Sequence, residues 1–159
     1  MSEALRIRPM AFADLDAVTA IADGLDTAPH WPRSVYEAAL DPAGTPRRIA
    51  RVAELDGEVA GFLIASIIPP EAELETIAVS PAHQRRKAGG ALLAELRGEL
   101  ATRGISEIIL EVRASNAAAQ EFYRAHLFAE FARREAYYRD TGDGAVLMRA
   151  CIAGRRGME

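Results

Sequence analysis

An α/β domain with a mixed, mostly antiparallel seven-stranded sheet and helices on both faces is predicted by three observations. Apolar residues switch between a period near two and a period near 3.6 in the order βααβββαβαββ. Leu55-Asp56-Gly57 stands between two strand-like runs, a strong hairpin signal. A single strand–helix–strand crossover follows the antiparallel strands, so the sheet is mixed and its helices cover both faces.

The elements follow in order. Leu5 to Arg8 is a short strand ended by Pro9. Phe12, Leu15, Val18, Ala22 and Leu25 recur at helical spacing, and Asp23-Gly24 ends that helix. Thr27 to Pro32 is a loop, Ser34 caps a short helix through Leu40, and Asp41 to Pro46 breaks the chain again. Arg48 to Glu54 and Glu58 to Ile68 form the hairpin. Pro69-Pro70 ends its second strand, and Glu71 to Val79 returns antiparallel to it. Ala88 to Arg103 is helical, with Leu92, Leu93, Leu96 and Leu100 on one stripe and Gly104 as its stop. Ile105 to Val112 is an apolar strand, and Asn116 caps a helix through Ala125. Phe128 to Arg134 and Ala145 to Ile152 close the sheet through Asp140-Thr141-Gly142-Asp143-Gly144. With no repeat and no linker, residues 1–153 read as one domain and 154–159 as a disordered tail.

Half of the 159 residues are hydrophobic and 26% are charged, enough for one real core. A net charge of −4 gives no general attraction to nucleic acid or an anionic membrane. The single cysteine, Cys151, forms no internal disulfide and reads as core. His30, His83 and His126 lack metal-ligand spacing, so no metal is expected. No apolar run reaches the ~18 residues of a membrane span and no leader is evident, which points to the cytoplasm.

Within this acidic chain, Val79 to Leu93 runs from strand through a basic, glycine-bearing turn into a helix. A helix N-terminus carries unpaired N–H groups and roughly half a positive charge. Behind Arg85, Arg86 and Lys87 it suits a compact anion such as phosphate. An ordinary connection with a solvated basic face has the same local chemistry.

Two segments resemble the GNAT superfamily of N-acetyltransferases, in particular the bacterial ribosomal-protein-alanine N-acetyltransferases. Gln84-Arg85-Arg86-Lys87-Ala88-Gly89 is similar to the acetyl-CoA pyrophosphate loop. Leu110 to Ala119, followed by Phe122-Tyr123 and Phe128, is similar to the family's next strand and helix. The resemblance implies acetyl-CoA as cosubstrate, its pantetheine arm between diverging strands that end at Val79 and Val112. Backbone groups of Ile77, Ala78 and Val79 would meet the arm, and those of Gln84 to Gly90 would hold the pyrophosphate. It implies Glu111 as general base, Tyr123 as general acid and Asn116 near the cofactor, though Asn116 also reads as a plain helix cap. Two residues depart from the pattern: Lys87 and Leu127 stand where the family has glycine.

An acid inside the apolar run Ile108-Ile109-Leu110-Glu111-Val112 is costly unless it is paired, solvated or functional. Alternation puts Glu73 and Glu75 on one strand face with Ile77 and Val79, as solvated charges or as acceptor ligands. Trp31, Tyr137 and Tyr138 are candidates for the acceptor groove, with core packing as the alternative for Trp31. The implied acceptor is a protein N-terminus, the alanine of a small-subunit ribosomal protein, attacking directly in a ternary complex. A small-molecule amine, another protein, or a catalytically weakened acyl-CoA-binding module are the alternatives. No nucleic-acid or membrane partner is expected, and the chain is read as a monomer or weak dimer.

Overall fold

The computed structural model describes residues 4–25, 28–83, 87–138 and 142–152. Gln84, Arg85, Arg86, the centre of the last hairpin and the expected tail lie outside them. The elements are β1 (Leu5–Pro9), α1 (Leu15–Asp23), α2 (Arg33–Ala39), β2 (Arg47–Leu55), β3 (Glu58–Ile68), β4 (Glu71–Val79), α3 (Ala88–Thr102), β5 (Glu107–Arg113), α4 (Ala117–Ala125), β6 (Ala129–Tyr138) and β7 (Asp143–Cys151). They form one seven-stranded sheet in the order β1-β2-β3-β4-β5-β7-β6. Among the described strands, β4–β5 is the one parallel pair. This is the predicted architecture. The β2–β3 turn uses Asp56 and Gly57 at φ 51° and 86°, the two left-handed residues of a twist-matched hairpin.

Each face of the sheet carries its own core. Leu15, Val18 and Ile21 of α1 and Tyr36 of α2 pack on Ala50, Val52, Phe62, Ile64 and Ala78. Leu92, Leu93, Leu96 and Leu100 of α3 pack on Ile49, Leu63, Leu74, Ile108, Leu110 and Met148. The β-strand period of two divides adjacent residues between these layers.

Four local expectations are corrected. Phe12 is 61% exposed, because Phe12–Asp14 is a 3₁₀ turn and the α-helix begins only at Leu15. Leu25 lies beyond the helix end at Gly24, though it still packs on the α1–α2 core. Ser34 caps nothing, since α2 begins at Arg33 with Pro32 in extended conformation at the cap. Cys151 is exposed: β7 turns Val146, Met148 and Ala150 inward, so Cys151 faces the other way.

Leu127 and Lys87 adopt φ of 74° and 65°, where a Cβ crowds the backbone. Leu127 is also 78% exposed, so its side chain returns little burial. Leu127→Gly is expected to stabilise the fold by about 1 kcal/mol, read as a higher denaturant midpoint at unchanged slope.

Among the described residues, no helix is long and apolar enough to cross a membrane.

Candidate active site

β4 and β5 pair only from Glu71–Glu107 to Glu73–Ile109 and then diverge. Directly beyond the last pair, β4 carries a bulge: Ala65 opposes Leu74 while Ile64 opposes Thr76, leaving Glu75 as an extra residue. Before the bulge, Ala72 and Leu74 face α3; after it, Ile77 and Val79 do. Glu73 therefore lies on the opposite face, with Thr76 and Ala78, and not with Ile77 and Val79 as strict alternation predicts. Glu75 accepts a hydrogen bond from Arg48 Nε at 3.0 Å, which gives it a structural partner.

On β5, Ile108, Leu110 and Val112 point into the α3 core. The period of two then turns Ile109 and Glu111 to the Glu73 face. Glu73, Ile109, Leu110, Glu111, Arg134, Tyr137 and Leu147 line one open cleft at the divergence. Partial burial raises the proton affinity of the Glu73 carboxyl, and the negative charges of Glu75 and Glu111 raise it further. Tyr138 is also shifted upward, first by burial and then by Glu111. The Arg113 guanidinium lies 3.9 Å over its ring. Trp31 packs 5.4 Å from Tyr36, which meets Phe62 edge-on at 6.0 Å; it is a packing anchor of the α1–α2 layer.

Tyr123 sits on the other side of the divergence. It packs edge-on against Phe122 at 5.4 Å and Phe128 at 5.6 Å. Burial pushes its hydroxyl up to about 12, so it holds its proton at neutral pH. Asn116 is the helix cap: its side-chain oxygen accepts from Ala119 N at 3.1 Å. Arg97 on α3 donates to the His126 carbonyl, and its guanidinium lies 5.3 Å from the Phe128 ring centroid, tying α3 to the end of α4.

At the start of α3, the first amide to bond within the helix is Ala91 N, to Lys87 O at 3.0 Å, and the side chain of Lys87 at the cap makes no capping hydrogen bond. The N–H groups of Ala88, Gly89 and Gly90 thus have no intrahelical acceptor. The two glycines let α4 approach: a Cβ on Gly89 would stand 3.1 Å from Phe122, and one on Gly90 2.9 Å from His126 Nε2. Lys87 is exposed and stands at the cap of the same helix. Amides with no intrahelical acceptor, a helix dipole and a lysine at the cap fit a pyrophosphate.

Of the residues the sequence singles out, Glu73, Glu111 and Tyr137 line this cleft, and Arg134, Ile109 and Leu147, which it does not single out, line it with them. Strand alternation across β7 signals Leu147, which opposes Glu111. No comparable signal marks Arg134, which follows another arginine in an exposed edge strand. Arg133 is taken by Glu130 at 2.6 Å, whereas Arg134 lies 5.4 Å from the Tyr137 ring centroid.

A splayed mixed sheet with a helix N-terminus at the divergence and a carboxylate cleft beside it is the fold of an acetyltransferase family. The chain belongs to the acetyltransferase (GNAT) family, whose family model matches residues 16–127. It is 45% identical over 96 residues to the ribosomal protein bS18-alanine N-acetyltransferase of Escherichia coli K12. That match covers 58% of this chain and 64% of the relative, so just under two thirds of the relative's length is spanned. A putative enzyme of the same name from Bacillus subtilis is 32% identical over 145 residues, covering 89% of this chain and 92% of the relative. The crystal structure of the ribosomal-protein-S18-alanine N-acetyltransferase from Escherichia coli superposes with a TM-score of 0.82 at 33% identity, covering 94% of each chain.

Proposed function

We propose that the protein is a cytoplasmic N-acetyltransferase that uses acetyl-CoA to acetylate a protein N-terminus, the alanine of a small-subunit ribosomal protein. The observation that carries this reading is the divergence of β4 and β5, with Glu73 and Glu111 on one side of the gap and Tyr123 on the other. The relatives named above are ribosomal protein S18-alanine N-acetyltransferases by name, which supports the same acceptor.

When bound, acetyl-CoA supplies the activated acetyl thioester and a thiolate leaving group. The amides of Ala88, Gly89 and Gly90, with Lys87, would hold its pyrophosphate, and the β4 backbone from Ile77 to Val79 would line the pantetheine arm. On the acceptor side, Glu73 and Glu111 attract the incoming ammonium and take its proton at a carboxylate oxygen. The raised proton affinity of Glu73 supports a base role for it beside Glu111. An α-ammonium, with a pKa near 8, yields its proton far more readily than a lysine ammonium near 10.4. Tyr123, protonated at neutral pH, donates its hydroxyl proton toward the departing sulfur.

The cleft's volume, about 190 Å³, suits one small terminal residue. Drug-sized ligands ordinarily fill ~300 Å³ or more. Turnover of an Ala-initiated peptide against polyamines and an aminoglycoside tests the reading. Preference for the peptide is expected, and turnover of the small amines alone would overturn the acceptor. Calorimetry with acetyl-CoA separates the alternatives: no binding at millimolar cofactor would leave only a partner-docking module. In the same assay Glu73→Gln is expected to lower kcat/KM while raising the thermal midpoint, because it removes a like-charge contact from the cleft.

A further inference from the structure

The acceptor cleft has two poles. Glu73 and Glu111 form an acidic one, and Arg134 faces them from the edge strand. The register puts both poles on one face. Arg113 on β5 opposes Ala145 on β7, and Ala145 opposes Arg134 on β6, so Arg134 stands two strands from β5 on the face that carries Glu111. Glu111 itself opposes Leu147, and Leu147 opposes Ala132, so Arg134 lies two strands across and two residues along from Glu111, roughly 12 Å between backbones. Both long side chains line the cleft between them. A carboxylate–ammonium hydrogen bond, an N–Cα–C=O unit and a carbonyl–guanidinium hydrogen bond together span about 8–9 Å, a length that side chains reaching from those two positions can bracket. The Tyr137 ring, 5.4 Å from the Arg134 guanidinium, supports its charged plane at the cleft wall. Among the described residues no carboxylate is paired with Arg134, in contrast to Arg133 beside it.

We propose that Arg134 is a specificity-determining residue that donates to the first carbonyl or carboxylate oxygen of the acceptor. The cleft then selects an α-ammonium flanked by an oxygen acceptor. This rests on the N-acetyltransferase reading and narrows its substrate class. A lysine side chain or a polyamine offers the ammonium but leaves the guanidinium without its oxygen. Arginine suits this task because its planar fork stays charged and presents donors in fixed directions.

The test compares an Ala-initiated peptide, the same peptide with its first carbonyl reduced to methylene, and free alanine. Each is assayed with the wild type, Arg134→Gln and Arg134→Lys, with thermal melts to establish that all three fold. Wild type is expected to favour the intact peptide over the reduced one by at least tenfold in kcat/KM, about the value of one charge-assisted hydrogen bond. Arg134→Gln is expected to bring that ratio to within about twofold, and Arg134→Lys to fall between, since a point charge replaces the fork. Acetylation of free alanine assigns the contact to a carboxylate, and peptide-only turnover assigns it to a peptide carbonyl; both support the proposal. An unchanged ratio in Arg134→Gln overturns it and leaves the acetyltransferase reading standing. If the wild type turns over neither peptide, the acceptor reading fails, and calorimetric binding of the two peptides decides on Arg134: equal affinities overturn the proposal.

Discussion

Glu111→Gln is expected to lower kcat on an alanine-initiated peptide by on the order of 100-fold or more, with the affinity for acetyl-CoA nearly unchanged. The separation follows from the fold. Glu111 faces the cleft with Glu73, while the amides suited to pyrophosphate lie at the N-terminal start of α3. The substitution also removes a negative charge whose field raises the proton affinity of Glu73. Residual activity that depends on Glu73 should therefore keep its base ionised to lower pH, so the rising limb of the kcat/KM profile moves to the acid side. Steady-state kinetics across pH and cofactor calorimetry check both statements. A parallel loss of turnover and cofactor affinity would mean that Glu111 supports the structure and not the chemistry.

Asp14→Ala is expected to cost about 3 kcal/mol of stability, the typical effect of removing one partner from a buried ion pair. Asp14 is only 6% exposed, and it accepts from both terminal nitrogens of Arg8, at 2.8 and 2.9 Å, and from Ala11 N at 2.7 Å. Arg8 also donates to Glu54 at 3.0 Å, so β1, β2 and the entrance to α1 are joined through one guanidinium. The hydrogen bonds from Arg8 hold the Asp14 carboxyl below its ordinary value despite burial. The sign follows: a depressed carboxylate stabilises the fold above its unfolded pKa, about 3.9, and loses that contribution as pH falls through the folded value. In thermal melts near neutrality the variant's midpoint should lie roughly 6–12 °C below that of the wild type. The difference should shrink below about pH 4. A pH-independent difference would assign the loss to packing alone.

Most of the fold was legible because its signals are periodic. The leucine stripe of α3, the Asp56-Gly57 turn and the proline stops each fix an element without help from tertiary contacts. Helix starts were less legible. Phe12 fits the apolar spacing of α1 but belongs to a 3₁₀ turn, and Pro32 rather than Ser34 stands at the start of α2. Cys151 read as core because its neighbours are apolar, yet a strand exposes every second residue, and register alone decides which.

The site divides along the same line. Glu111 could be located because a charge in an apolar strand is conspicuous by itself. The position of Glu73 could not, since the bulge at Glu75 arises from how β4 lies against β3. Arg134 reaches the cleft only through a ladder across β7, a relation between residues far apart in the chain.

That bulge makes the length of β4 a heritable quantity distinct from its composition. Replacing Glu75 costs an ion pair with Arg48 and leaves the two halves of the strand facing as they do. Losing residue 75 altogether would close the bulge and force half a turn on one of them. Either Glu73 would leave the acceptor side or Ile77 would leave the cofactor side. Among homologous genes, substitutions at this codon should be common, while in-frame deletions of it should survive only alongside an insertion elsewhere in the same strand.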